Sequence, residues 1–140
     1  MPSLTPQRYF LAKTEPDTYS IDDLQRDKRT VWDGVKNPQA VRAIKEMQPG
    51  DRVFIYHSGG VSAIAGVAVV LEGGRADPKD PKSAVADLGF FAKLESPVTL
   101  AEVKQSKLFE DFALVRQSRL STMAVPEKFV AWVRKTHPEV

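Results

Sequence analysis

The sequence predicts an α+β domain built as a small mixed or antiparallel β-barrel with short flanking helices. Three observations carry that expectation. Apolar runs of strand length recur between Gly- and Pro-bearing turns, two Ser/Thr-x-x-acid signatures mark short helices, and regular βαβ alternation is missing. With 140 residues, 42% of them hydrophobic and 27% charged, residues 1–140 fit one globular domain that buries roughly two-thirds of its unfolded surface. No period of repeat length and no linker-like stretch divides the chain.

Tyr9-Phe10-Leu11-Ala12-Lys13 is an apolar run that stops at Thr14-Glu15-Pro16, which predicts a buried first strand. Ser20, with Asp23 three residues on, forms a capping box for a short helix from Ile21 to Arg26. Asn37 followed by Pro38 is a helix start; Val41, Ile44 and Met47 share a face, Arg42 and Lys45 lie opposite, and Pro49-Gly50 ends the helix. Arg52 to His57 and Ala63 to Leu71 read as a hairpin around Ser58-Gly59-Gly60. Glu72 to Ser83, with two glycines, two prolines and mixed charges, reads as a solvated loop. Val85 to Leu94 reads as another strand. Thr99 with Glu102 opens a third helix, Leu114 to Val125 reads as an irregular strand, and Pro126 starts a last helix with Phe129, Val130 and Val133 inward and Trp132 packed beside them.

Composition narrows the chemistry. The chain has no cysteine, so disulfides, thiolate metal sites and a cysteine nucleophile are excluded, consistent with a reducing compartment. No apolar run approaches the ~20 residues of a membrane span, and Met1 to Phe10 lacks a signal-peptide core. The expectation is a cytoplasmic protein, or a nuclear one in a eukaryote. A formal net charge of +2 is too small to identify a nucleic-acid binder by itself. The two histidines, His57 and His137, lack metal-ligand spacing, so no metal is expected. His57 next to Ser58 suggests a hydrolase, with Glu15 or Asp33 as third member. Adjacent residues of an extended chain point to opposite faces, however, and the Gly-x-Ser-x-Gly elbow is absent. Neither phosphate-binding glycine fingerprint is present.

Trp32-Asp33-Gly34-Val35-Lys36-Asn37 is the most informative stretch. Gly34 suits the positive φ of a sharp turn, Asn37 caps the following helix, and that helix start beside Lys36 suggests an anion site. Trp32 offers a flat face of the kind on which bases stack. It equally suits a core residue under a loop. Other polar and aromatic groups near strand ends, Lys13-Thr14-Glu15, Tyr56-His57-Ser58 and Arg116 to Ser121, each have a structural reading too: turn closure, ion pairing or core filling.

Taken together, Lys13-Thr14-Glu15-Pro16, Ser20-Ile21-Asp22-Asp23-Leu24, Trp32 to Asn37, Tyr56-His57-Ser58, Ile64-Ala65-Gly66-Val67-Ala68 and Arg119-Leu120-Ser121 resemble the EVE domain family, in order and over nearly the whole chain. The resemblance implies a PUA-like fold, a small barrel related to the RNA-binding YTH and PUA modules. It implies binding of modified bases in DNA or RNA; with the Trp32 platform and no catalytic constellation, the expected function is a non-catalytic module that reads a modified base, for example methylated cytosine, flipped into an aromatic pocket. An enzyme processing such a base and a protein-interaction module are the alternatives. No cofactor and no membrane partner is expected, and no protein partner is indicated. Carried over by position, the pocket is lined by Lys13, Thr14, Glu15, Trp32, Asn37, Tyr56, His57, Ser58, Arg119, Leu120 and Ser121. Lys36, Arg42, Lys45 and Arg116 are the expected phosphate contacts. Lys36 stands where the family commonly has arginine, so its contact is that of a point charge rather than a planar fork. The loop from Gly73 to Ser83 is shorter and poorer in aromatics than in many relatives.

Overall fold

The computed structural model describes residues 7–140. Residues 1–6, on which most of the reading of the N-terminal segment rests, lie outside them. One six-stranded sheet carries the fold, in the order β2-β5-β4-β3-β1-β6. β1 (Tyr9–Thr14) lies inside the sheet next to the edge strand β6, and its Phe10, Leu11 and Ala12 are fully buried. It runs parallel to β3 (Arg52–His57) and antiparallel to β6 (Thr122–Val125). The other ladders are antiparallel, so the sheet is mixed, as expected.

The strands do not close into a barrel. β2 (Arg29–Trp32) pairs only with β5 (Asp80–Thr99), and β6 only with β1, leaving two outer edges among the described strands. The sequence reading also missed β2. Four residues with alternate exposure, between two short helices, are too few to show a strand period.

A second correction concerns Glu72 to Ser83. β4 (Ala63–Asp77) and β5 continue through this segment as a long, bulged hairpin rather than a solvated loop. Gly73 and Gly74 are there for contact. A Cβ on Gly74 would lie 1.7 Å from the Ile44 carbonyl oxygen, so only glycine lets β4 pass directly under α2 (Pro38–Glu46). Leu114 to Val125 likewise splits into α4 (Ala113–Arg116) and β6.

The helices expected from capping signals are present. Ser20 and Asp23 form both bonds of the capping box at α1 (Ile21–Asp27), as Thr99 and Glu102 do at α3 (Leu100–Ser106). α5 (Glu127–Arg134) follows Pro126. Phe129 meets Phe54, Phe109 and Phe112 in the core, and Trp132 stacks at the edge of that cluster, a packing role as expected.

Candidate nucleic-acid interface

The open seam of the sheet holds a cleft of about 430 Å³. Its one wall is the outer edge of β2, with Thr30, Val31 and Trp32, continuing into Asp33 to Lys36. The facing wall is Lys13 and Thr14 at the end of β1 with Ser121 just before β6, and Thr18 and Tyr19 form the floor. The unpaired edge of β2 and the end of β1 therefore share the space, while β6 lines a separate groove with α2.

Trp32 is half-buried and packs edge-on against Tyr19, ring centroids 6.5 Å apart and planes at 79°. It is neither sealed in the core nor free in solvent. Tyr19 is held by donating to the Asp27 carboxylate at 3.0 Å; burial, then that bond, raises its pKa. Gly34 takes φ +76° in the wall. The Ser83 hydroxyl donates to the Val35 carbonyl, and Lys36 pairs with Asp80 at 3.5 Å. The β4–β5 hairpin thus braces the segment after Trp32.

Across the cleft, Lys13 donates its main-chain N–H to Ser121 O at 2.8 Å and its ammonium to Ser118 O at 2.9 Å. The ammonium lies 5.5 Å from the Tyr56 ring centroid, and burial lowers its pKa. The Thr14 hydroxyl donates to Tyr19 O at 2.8 Å, closing the turn between β1 and α1 while lining the cleft.

Five of the expected residues, Lys13, Thr14, Trp32, Lys36 and Ser121, are brought together here. The others lie outside the lining. Asn37 turns its Oδ1 to the Gln39 and Ala40 amides, and its carbonyl accepts from Val41. Because Pro38 has no N–H, the first turn of α2 has no free donor left, which overturns the anion site expected at that helix start. His57 accepts the Ile21 N–H at its Nε2, 3.1 Å away, and so serves as a second cap of α1. Tyr56 and Leu120 are buried, while Glu15 and Arg119 are exposed nearby in sequence. The half-buried Ser58 bonds its amide to Thr14 O at 2.9 Å. Arg42 lines a separate groove against β6, Lys45 is exposed on α2, and Arg116 faces Asp111 at 3.4 Å.

Sequence reasoning missed Thr18, Tyr19, Thr30 and Val31. An aromatic directly before the Ser20 cap was the available signal for Tyr19. Nothing marked Val31 apart from the unrecognised strand. Among the described residues, no group of three or more His, Asp and Glu side chains is arranged to hold a metal, and no helix is long and apolar enough to cross a membrane.

The fold and this cleft define a class: a small α+β domain whose mixed sheet stays open beside an aromatic-walled cleft. The chain belongs to the EVE domain family, which matches residues 8–136. It is 28% identical over 124 residues to thymocyte nuclear protein 1 of Homo sapiens, covering 69% of this chain and 55% of that protein, so it spans about half of that relative's length. A hypothetical protein from Leishmania major superposes with a TM-score of 0.87 at 30% identity over 96% of both chains. Human THYN1, solved in complex with 5-methylcytosine-containing DNA, shares the fold with a TM-score of 0.84 at 23% identity, covering 93% of this chain and 97% of that one.

Proposed function

We propose that this chain is a non-catalytic nucleic-acid-binding module that takes one modified base, flipped from its strand, into the seam cleft against Trp32. The single observation that carries the reading is the half-buried indole of Trp32 facing an open space of about 430 Å³, within the size range of small-ligand sites. The THYN1 complex with 5-methylcytosine DNA supports modified DNA as the partner class; RNA is the alternative polymer.

The energetics set what each part must do. Flipping a base costs a few kcal/mol. Stacking returns about 1–3 kcal/mol, and a buried methyl adds about 0.8 kcal/mol. Phosphate contacts must supply the remainder, from Lys36 in the lining, Arg119 two residues before Ser121, and Arg42, Lys45 and Arg116 further out. Thr14, Ser121 and Lys13 offer polar groups to the base edge, with Glu15, Asn37 and Ser58 at the periphery. Binding rather than catalysis is favoured because His57 Nε2, the natural general base, is engaged with the Ile21 amide.

The test is an anisotropy titration of oligonucleotides carrying one 5-methylcytosine or one cytosine against wild type and Trp32→Ala. Loss of stacking by about 1–3 kcal/mol weakens the methylated strand roughly 5- to 150-fold in the variant. Equal affinities in the two proteins would remove Trp32 from the mechanism.

A further inference from the structure

Val31 lines the cleft on the edge strand β2, and the register of that strand directs its main-chain N–H and C=O away from β5. The Phe90 amide donates to Lys28 O at 2.9 Å, and the β2–β5 register runs Arg29↔Gly89, Thr30↔Leu88, Val31↔Asp87, Trp32↔Ala86 without a shift. In an antiparallel ladder, residues alternate between exchanging bonds with the partner strand and pointing N–H and C=O away from it. Lys28 O accepts from Phe90 while the Lys28 N–H caps α1 at Leu24 O, and that bond sets the alternation in which Thr30 and Trp32 turn their polar groups to β5. Val31 is then directed outward. β2 has no strand on that side, and Val31 lines the cleft there. Outside the sheet ladders, no hydrogen bond among the described residues uses its N–H or C=O.

We propose that this exposed donor–acceptor pair of Val31 reads the Watson–Crick edge of the base that enters the cleft. A strand-edge N–H and C=O match an adjacent acceptor and donor on the guest. Cytosine offers N3 and its 4-amino group in that relation, as adenine offers N1 and its 6-amino group. Trp32, the next residue, sends its side chain to the face opposite that of the Val31 side chain, so stacking and edge reading come from neighbouring residues of one strand. The inference rests on the base-binding reading above and adds the atoms that select the base.

Edge position makes the test clean. Val31→Pro removes the outward N–H while leaving the ladder bonds of Thr30 and Trp32 in place, and proline is tolerated where a strand's N–H faces solvent. Val31→Ala controls for the side chain. Each protein is titrated with DNA carrying one 5-methylcytosine and with the same DNA carrying an abasic site there. Expected is about three- to tenfold weaker binding of the methylated strand by Val31→Pro relative to Val31→Ala, the range of one net hydrogen bond, with abasic binding equal in both. Equal methylated affinities overturn the Val31 assignment, as does an equal loss on the abasic strand. If wild type itself does not distinguish methylated from abasic DNA, the base-binding reading falls first and takes this one with it. Should Val31→Pro fail to fold, the amide proton of Val31 in ¹⁵N-labelled wild type decides: a downfield shift on adding the methylated strand but not the abasic one supports the assignment, and an unmoved signal overturns it.

Discussion

His57, expected in the pocket, lies outside the cleft lining and caps α1 beside it. Its Nε2 accepts the Ile21 amide, which only a neutral imidazole can do. Burial lowers its pKa, Asp22 raises it in part and Lys93 lowers it again. The sign of the pH effect follows. Below about 6.5, the ordinary histidine value, the unfolded chain binds the proton before the folded one does. The contribution to stability is therefore complete above about pH 6.5 and lost as pH falls through the folded-state value. Melting curves between pH 7.5 and 5 should show wild type losing stability relative to His57→Gln, whose amide oxygen accepts the same bond without titrating; parallel curves would refute the capping role. Trp32, by contrast, was legible because a tryptophan before Asp-Gly is conspicuous. Val31 was not, since its value lies in main-chain atoms that every residue type shares.

Among the elements, those announced by local chemistry were readable and those set by distant contacts were not. Both capping boxes and the Asn37-Pro38 start sit where Ser20, Thr99 and Asn37 place them, since a cap is satisfied within three residues. The extension of β4 and β5 past Glu72 was hidden, because Gly73 and Gly74 look like loop residues until the α2 backbone is seen beside them. That contact is testable. Gly74→Ala places a methyl against the Ile44 carbonyl, where backbone rather than a flexible side chain must yield, and should destabilise the fold by about 3 kcal/mol. Asn37→Ala, which leaves the Gln39 and Ala40 amides without their acceptor, should cost about 1 kcal/mol. Urea denaturation compares the two. A smaller loss for Gly74→Ala than for Asn37→Ala would mean that β4 and α2 are not held in contact.

For the whole molecule, the one topological expectation that failed is the one the cleft depends on. Local patterns specify strands but not whether the first and last of them meet, and here β2 and β6 stay apart. A closed barrel would have joined the edge of β2 that lines the cleft to a neighbouring strand and left no opening beside Trp32. The charge distribution then sets how the opening is used. A net charge of +2 gives weak long-range attraction, and Lys36 already faces Asp80. On the proposed function, binding would draw on a few phosphates around the seam. If three or four are neutralised on duplex DNA, the slope of log affinity against log salt should be about −3 to −4, and Lys36→Ala should reduce its magnitude by about 0.9. Trp32→Ala should lower affinity at every salt concentration without changing the slope, because stacking releases no counterions. A slope that moves with Trp32 would mean that the indole orders the phosphate track instead of receiving a base. One that ignores Lys36 would place the backbone of the nucleic acid elsewhere on the fold.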